Sequence, residues 1–291
     1  MNRKIFNIQY IFVFISILPA IYLNIIYPLI TSNKLDSLNT VILLSSLVSF
    51  NLILFLTLNL LKYNIASYCV LASTLNIWEP YLLKYWLVSP DSKNILYSFS
   101  IDIIVCIIIC SILLLCMYKL KNIVIPGLKI IINKDILIVY LFFVGFLLLV
   151  SILLIKSAST NSSKISEMMA NVNHLHILLT MTKPTIDAIA STAIVIFTIF
   201  ICFSTYLDQL SISTVVKRGL LILLYIGFKY DGYHLIDGLL QFLLLSIYGY
   251  FLLYIFELSE KKWINPFIFH LLITIIFESM FPTILLVGKY L

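Results

Sequence analysis

The stretch that decides the fold is ILYSFSIDIIVCIIICSILLLCMY, residues 95–118, in which Asp102 is the sole charged side chain. A helix rises about 1.5 Å per residue, so about 20 apolar residues are enough to cross the hydrocarbon layer of a membrane. Blocks of similar length and composition recur along the chain. The pattern predicts a transmembrane helix here and a polytopic, all-α membrane protein overall.

The composition excludes an ordinary soluble domain. Hydrophobic residues make up 62% of the 291 positions and charged residues 11%, whereas a soluble domain carries about 25% charged residues. A water-soluble chain of this length has too small a core to hide so much apolar surface. No polar or low-complexity stretch is long enough to form a separate soluble domain, so we expect one membrane domain with loops.

Nine spans are predicted, of which 215–229 is the shortest, and they give a bundle of about eight or nine transmembrane helices. The first is a retained helix, because its apolar run exceeds the 7–15 residues of a signal-peptide core. The spans are 5–30, 38–61, 66–88, 95–118, 136–155, 185–206, 215–229, 235–256 and 265–288.

The distribution of lysines indicates the orientation in the membrane. The 119–134 loop carries Lys119, Lys121, Lys129 and Lys134, and cytoplasmic loops are the ones enriched in Lys and Arg. We therefore expect a cytoplasmic N-terminus in the cell membrane. The net charge of +6 is scattered over loops, which favours the lipid bilayer as partner and argues against nucleic acid.

The five cysteines all lie within apolar spans, with no C-x-x-C pair, and are interpreted as packing residues. They are Cys69, Cys106, Cys110, Cys116 and Cys202. Asp102, Cys106 and Cys110 share one helical face, but three groups spread over two turns do not converge on one ion. No metal or other cofactor is expected.

A loop and an amphipathic helix separate two groups of spans. After a polar loop at 157–164, apolar residues recur at helical spacing from Ile165 to Leu179, which predicts a helix lying in the membrane interface. This helix is either a plain connector or a functional element, namely a gate or a platform for an amphipathic peptide. We therefore divide the chain into N-terminal helices at 1–155, a connector at 156–184 and a C-terminal bundle at 185–291.

Ionisable residues inside the membrane are costly and are therefore functional candidates. Glu79 and Lys84 lie in the third span beside Pro80, which is expected to kink the helix. Snorkelling to the interface is the simpler interpretation of both charges; a coupling-ion site is the alternative.

The last four spans gather most of the polar groups. His234 is followed by Asp237, and His270 by Thr274, each about one helical turn later. Two histidines on separate helices could hold a metal or activate a water, or they could simply be hydrogen-bonded at helix ends. The candidate catalytic residues are Asp208, His234 and His270, and the candidate binding residues are Asp237, Gln241, Thr274, Glu278 and Glu79.

This region resembles the CPBP family of CAAX prenyl proteases and bacteriocin-processing proteins, whose late motifs are E-E-x-x-x-R, F-x-x-x-H and H-x-x-x-N. Tyr230-x-x-x-His234 is similar to the second motif and His270-x-x-x-Thr274 to the third. The resemblance covers roughly 185–285. It implies an intramembrane peptidase in which paired glutamates activate a water molecule and the histidines support it.

The glutamate pair of the first motif is missing, because the corresponding stretch reads Asp208-Gln209-Leu210. Asp208 is the only local carboxylate able to serve as a general base. The resemblance therefore implies a divergent, catalytically impaired member acting on a small peptide or with an exporter partner, in bacteriocin or peptide maturation, export or self-immunity. One alternative is a transporter or the membrane subunit of one, with Glu79 and Lys84 as its charged site. Another is a purely structural or assembly subunit.

Overall fold

The structure is a computed structural model that describes residues 3–22, 37–82, 95–124, 134–145, 174–229 and 235–276. Within these ranges every regular element is a helix, joined by short turns. The all-helical class predicted from the apolar blocks is therefore confirmed for the described part of the chain.

Nine helices run through the described ranges, numbered here in chain order. They are α1 (Arg3–Ile21), α2 (Ser37–Leu60), α3 (Asn64–Leu82), α4 (Ile95–Val124), α5 (134–145), α6 (His174–Ile196, continued by Phe197–Phe203 and Ser204–Asp208), α7 (Thr214–Lys229), α8 (Leu235–Leu258) and α9 (Ile264–Ile275). Each falls on one of the apolar spans read from the sequence.

Three of these helices contain segments long and apolar enough to cross a membrane, namely Ile42–Leu60 in α2, Ser100–Leu120 in α4 and Thr185–Asp208 in α6. Shorter apolar segments lie at Gln9–Ile21, Phe242–Leu258 and Ile264–Ile275. At 1.5 Å per residue the 12 residues of α9 extend about 18 Å, less than the ~30 Å hydrocarbon layer. Among the described residues, length and hydropathy thus support three spans directly.

The chain forms two compact units that alternate along the sequence. The first unit comprises Met1–Pro90, Ile112–Pro126 and Ile194–Tyr254, and the second comprises Asp91–Ser111, Gly127–Ala193 and Ile255–Leu291. The division of the chain at 155 and 185, which was drawn from composition and loops, stays a prediction.

A hydrogen bond between two helices lies in the core of the first unit. The side-chain amide of Asn76, in α3, donates to the Thr198 hydroxyl of α6 over 2.7 Å and to the Ala72 carbonyl over 2.8 Å. Asn76 and Thr198 are buried, and in a low-dielectric core such polar groups need partners. The bond therefore ties α3 to α6.

Thr198 lies in a π-helical segment of α6, Phe197–Phe203, all of whose residues are buried. The Ser204 amide donates to the Ile199 carbonyl, five residues earlier, as in a π-helix. The apolar pattern of 185–206 did not predict the π-helical segment, because an α-helix and a π-helix can both bury every side chain of such a stretch.

A tight turn joins α2 to α3. The Tyr63 amide donates to the Leu58 carbonyl and the Lys62 amide to the Asn59 carbonyl, the two bonds of a Schellman motif. Lys62 has φ 62°, a left-handed conformation in which glycine is the usual residue. The turn therefore forms despite the β-carbon of Lys62.

Aromatic rings and one hydrogen bond join α5 to α9 in the second unit. Phe269 is completely buried and receives Tyr140 edge-on at 4.9 Å and Phe143 at 5.3 Å between ring centroids. The Tyr140 hydroxyl donates to the Asn265 carbonyl over 2.8 Å. These contacts fix the first turns of α9, directly before His270.

The amphipathic segment predicted at 165–179 is described only from His174 onward. There the helix continues without interruption into the span that begins near 185. The earlier part of that segment lies outside the described residues.

Candidate functional site

His270 is the candidate site residue that the structure describes in most detail. It lies on α9, and its side chain is buried, with 3% exposed. Pro266 is in the first turn of this helix, where the missing amide proton costs nothing because the first amides have no helical acceptor. Pro266 therefore favours a helix that begins near Ile264, and His270 lies in the middle of that helix.

Two threonine hydroxyls hold the His270 imidazole. Nδ1 lies 2.9 Å from the Thr274 oxygen, one turn later on α9, and 3.1 Å from the Thr192 oxygen of α6. All three residues belong to the second unit. Thr192 is completely buried. Because Thr192 lies on α6 and Thr274 on α9, two helices hold the ring.

The threonine hydroxyls can form hydrogen bonds with Nδ1 of the His270 ring whether or not this nitrogen carries a proton. The Thr274 hydroxyl also lies 2.8 Å from the His270 carbonyl. When it donates to that carbonyl, Nδ1 can donate its own proton to the Thr274 oxygen; when Nδ1 is bare, it can accept the hydrogen of Thr192 or Thr274. The hydrogen bonds at Nδ1 are therefore compatible with both imidazole tautomers.

Asp208 ends α6 and pairs with a lysine. Its carboxylate forms a salt bridge with the Lys217 ammonium group, which comes from the first turns of α7. The Asp208 side chain is 43% exposed and that of Lys217 is 14% exposed. Asp208 belongs to the first unit, and the ion pair closes the short loop between α6 and α7.

The remaining candidates are described only in part. His234, Glu278 and Lys84 lie outside the described residues. Glu79 lies on α3, and Asp237 and Gln241 lie on α8, but their side chains are not among those described. The constellation of Asp208, His234 and His270, and the transporter site at Glu79 and Lys84, therefore stay predictions.

Sequence reasoning missed two neighbours of the candidate residues. Thr192 precedes His270 by 78 positions, and a lone threonine in an apolar helix gives no signal of a distant partner. Lys217 follows Asp208 by nine positions, and the opposite charges on either side of a short polar loop could have indicated the pair.

No group of three or more His, Cys, Asp or Glu side chains with metal-binding geometry occurs among the described residues. Asp102 is buried, whereas Cys106 and Cys110 are partly exposed. Cys69, Cys116 and Cys202 are buried in the first unit. Their burial is what packing residues in apolar helices show.

Comparison with known proteins finds no match to a protein family, to a curated protein or to a solved structure.

Proposed function

We propose that this chain is a multi-pass helical protein of the cell membrane that acts on a small peptide, in its maturation, its export or immunity to it, and that His270 is its central functional residue. The observation that carries the proposal is the buried His270 cluster. In a membrane protein a buried ionisable side chain is costly and marks a functional site by default. Two hydroxyls from different helices hold this one.

The pair formed by His270 and Thr274 supports the peptide assignment. These residues occupy the stretch that resembles the third CPBP motif, with threonine where that motif has asparagine, and their side chains are hydrogen-bonded. Like asparagine, a threonine hydroxyl can both donate and accept, so Thr274 can orient the ring.

The membrane placement rests on the charge pattern and on helix length. The bundle has about nine spans, a cytoplasmic N-terminus and most lysines on the cytoplasmic side. Three segments in the described ranges, in α2, α4 and α6, are long and apolar enough for this arrangement.

The test compares His270→Ala with Leu272→Ala, a matched control on the same helix whose side chain is 46% exposed. Each variant is expressed in a deletion strain of the host, and mass spectrometry identifies the small peptides in the cells and in the medium. We expect His270→Ala to abolish release of the mature peptide or growth in its presence, while Leu272→Ala behaves as wild type.

The form of the accumulated peptide distinguishes the three roles. An unprocessed peptide indicates maturation, a mature peptide retained in the cells indicates export, and growth arrest with normal release indicates immunity. If His270→Ala inserts at wild-type level and changes neither peptide nor growth, the proposal is wrong.

A further inference from the structure

A proline interrupts the hydrogen-bond ladder of α1. Pro19 lies inside this helix, which continues to Ile21, and it is buried. Because a proline nitrogen carries no hydrogen, Pro19 cannot donate to the carbonyl four residues earlier, at Ile15. The Ile15 oxygen therefore lacks the donor that an α-helix supplies to its other carbonyls. In a membrane helix such an oxygen is satisfied by a neighbouring side chain or by an ordered water molecule.

The side chain of Asn51, on α2, reaches α1 at the next carbonyl along the chain. Its amide nitrogen donates to the Ser16 carbonyl over 3.2 Å, and both residues are completely buried. Asn51 lies in the middle of the apolar segment Ile42–Leu60, which is the part of a membrane span farthest from water. A polar contact between α1 and α2 therefore lies directly beside the carbonyl that Pro19 leaves without its helical donor.

The oxygen of the same Asn51 amide also needs a donor. This atom, Oδ1, is buried, and no group among the described residues forms a hydrogen bond to it. Leaving a buried amide oxygen unpaired is costly in a low-dielectric environment. Exchanging the two ends of the amide does not help, because the oxygen would then face the Ser16 oxygen and the nitrogen would lack an acceptor. We therefore expect a bound molecule to donate to Oδ1.

The two acceptors are close enough to share one small ligand. Successive carbonyl oxygens of an α-helix are about 3–4 Å apart, so the Ile15 oxygen lies beside the Ser16 oxygen to which Asn51 donates. A water molecule has two hydrogens to donate, each over about 2.7–2.8 Å, and connects acceptors about 4–5 Å apart. Val13 and Ala20 are buried on the same face of α1 as Ser16, and this close packing favours the smallest such donor.

We propose that one water molecule is bound between α1 and α2, where it donates one hydrogen to the Ile15 carbonyl and the other to Asn51 Oδ1. Buried waters typically bind polar groups that would otherwise be unpaired, and these two acceptors match the two donors of water. The water replaces the amide hydrogen that Pro19 lacks and ties this turn of α1 to α2. The site contains no residue of the His270 cluster and does not depend on the peptide function.

A double-mutant cycle tests the bridge. Pro19→Ala restores the amide that donates to the Ile15 carbonyl, and Asn51→Leu removes the side-chain amide at similar volume. Unfolding of the full-length, purified protein is measured in mixed detergent micelles. Asn51→Leu should raise the unfolding equilibrium constant about tenfold in the wild type but only about two- to threefold beside Pro19→Ala, because the Ile15 carbonyl then no longer needs the water. Equal factors in the two backgrounds would overturn the proposal.

Ser46→Ala is the matched control on α2. The Ser46 hydroxyl is exposed and donates to the Ile42 carbonyl of its own helix over 2.8 Å. Its removal should therefore change the unfolding constant by the same factor with and without Pro19→Ala. Unequal factors for this control would mean that Pro19→Ala alters α2 as a whole, and coupling to Asn51 would then no longer support the water.

The wild-type protein gives two further tests that need no variant to fold. Crystals grown in a lipid mesophase and diffracting to about 2 Å should show a water peak within about 3.2 Å of both Asn51 Oδ1 and the Ile15 oxygen; a protein donor on Oδ1 would overturn the proposal. Unfolding midpoints in sodium, potassium and choline chloride at equal ionic strength should coincide. Stabilisation by sodium alone would assign the site to a cation instead of water.

Discussion

The imidazole of His270 has a fixed orientation because Thr274 holds it from its own helix and Thr192 from another. The two threonines contribute differently. Thr274 is one turn away on α9 and constrains the ring with little help from tertiary structure. Thr192 acts only when α6 and α9 are packed together, so its hydroxyl reports on the assembled site.

Thr192→Val keeps the shape of the side chain and removes the hydroxyl. We expect a loss of about 0.5–1.5 kcal/mol in the free energy of unfolding, since hydrogen bonds between membrane helices have this strength. Denaturation in mixed detergent micelles measures it. Thr192→Ser, which retains the hydroxyl, is the control and should lose clearly less; a loss for serine with none for valine would mean that the γ-methyl, and not the hydroxyl, stabilises the site.

The partners of His270 and of Asp208 differ in how far the sequence could predict them. His270 and Thr274 share a helical face by their spacing alone, and the structure brings these two side chains together. Thr192 could not be found this way, because helical periodicity relates neighbours on one helix and carries no information about partners 78 positions away. Lys217 lies between these cases, since it is close in sequence to Asp208 but on the next helix.

The helices could be predicted because their apolar blocks are about as long as a membrane crossing. Their ends were harder to predict, because they depend on local signals at single residues. Lys62 ends α2 in a left-handed conformation without the glycine that usually marks such a position. The π-helical turn at Phe197–Phe203 is similar, because it shifts backbone hydrogen bonds while all seven side chains remain buried.

Lys62→Gly relieves the strain of a β-carbon in the left-handed region. We expect it to raise the free energy of unfolding by about 0.5–1 kcal/mol, the cost of that conformation less the extra freedom of glycine in the unfolded chain. Unfolding curves in detergent provide the measurement. Lys62→Ala keeps the β-carbon and should bring no gain, so a similar rise in both variants would point to the lysine charge instead.

The two compact units show what hydropathy cannot reveal about the molecule. The second unit combines 91–111, 127–193 and 255–291, three segments that are far apart in the sequence. Helices α4, α6 and α8 each contribute residues to both units. Segments distant in sequence therefore pack together within each unit, which hydropathy along the chain does not indicate.

The nine-span arrangement predicts on which side of the membrane each described turn lies. With a cytoplasmic N-terminus, the turns after α2, α6 and α8 are all predicted to lie in the cytoplasm. They follow the second, sixth and eighth predicted spans, and an even number of spans returns the chain to the side on which it began. Single cysteines replacing Lys62, Gln209 and Glu260, in a chain whose five native cysteines are changed to alanine, probe these turns.

A membrane-impermeant maleimide added to intact cells should leave all three cysteines unlabelled, and disruption of the membrane should make all three reactive. Cys69, left in place as the only cysteine, is the control and should stay unreactive in both conditions because it is completely buried. Labelling of all three positions in intact cells would reverse the orientation. Labelling of only one or two would mean that a helix between them, such as the 16-residue α7, does not cross the membrane.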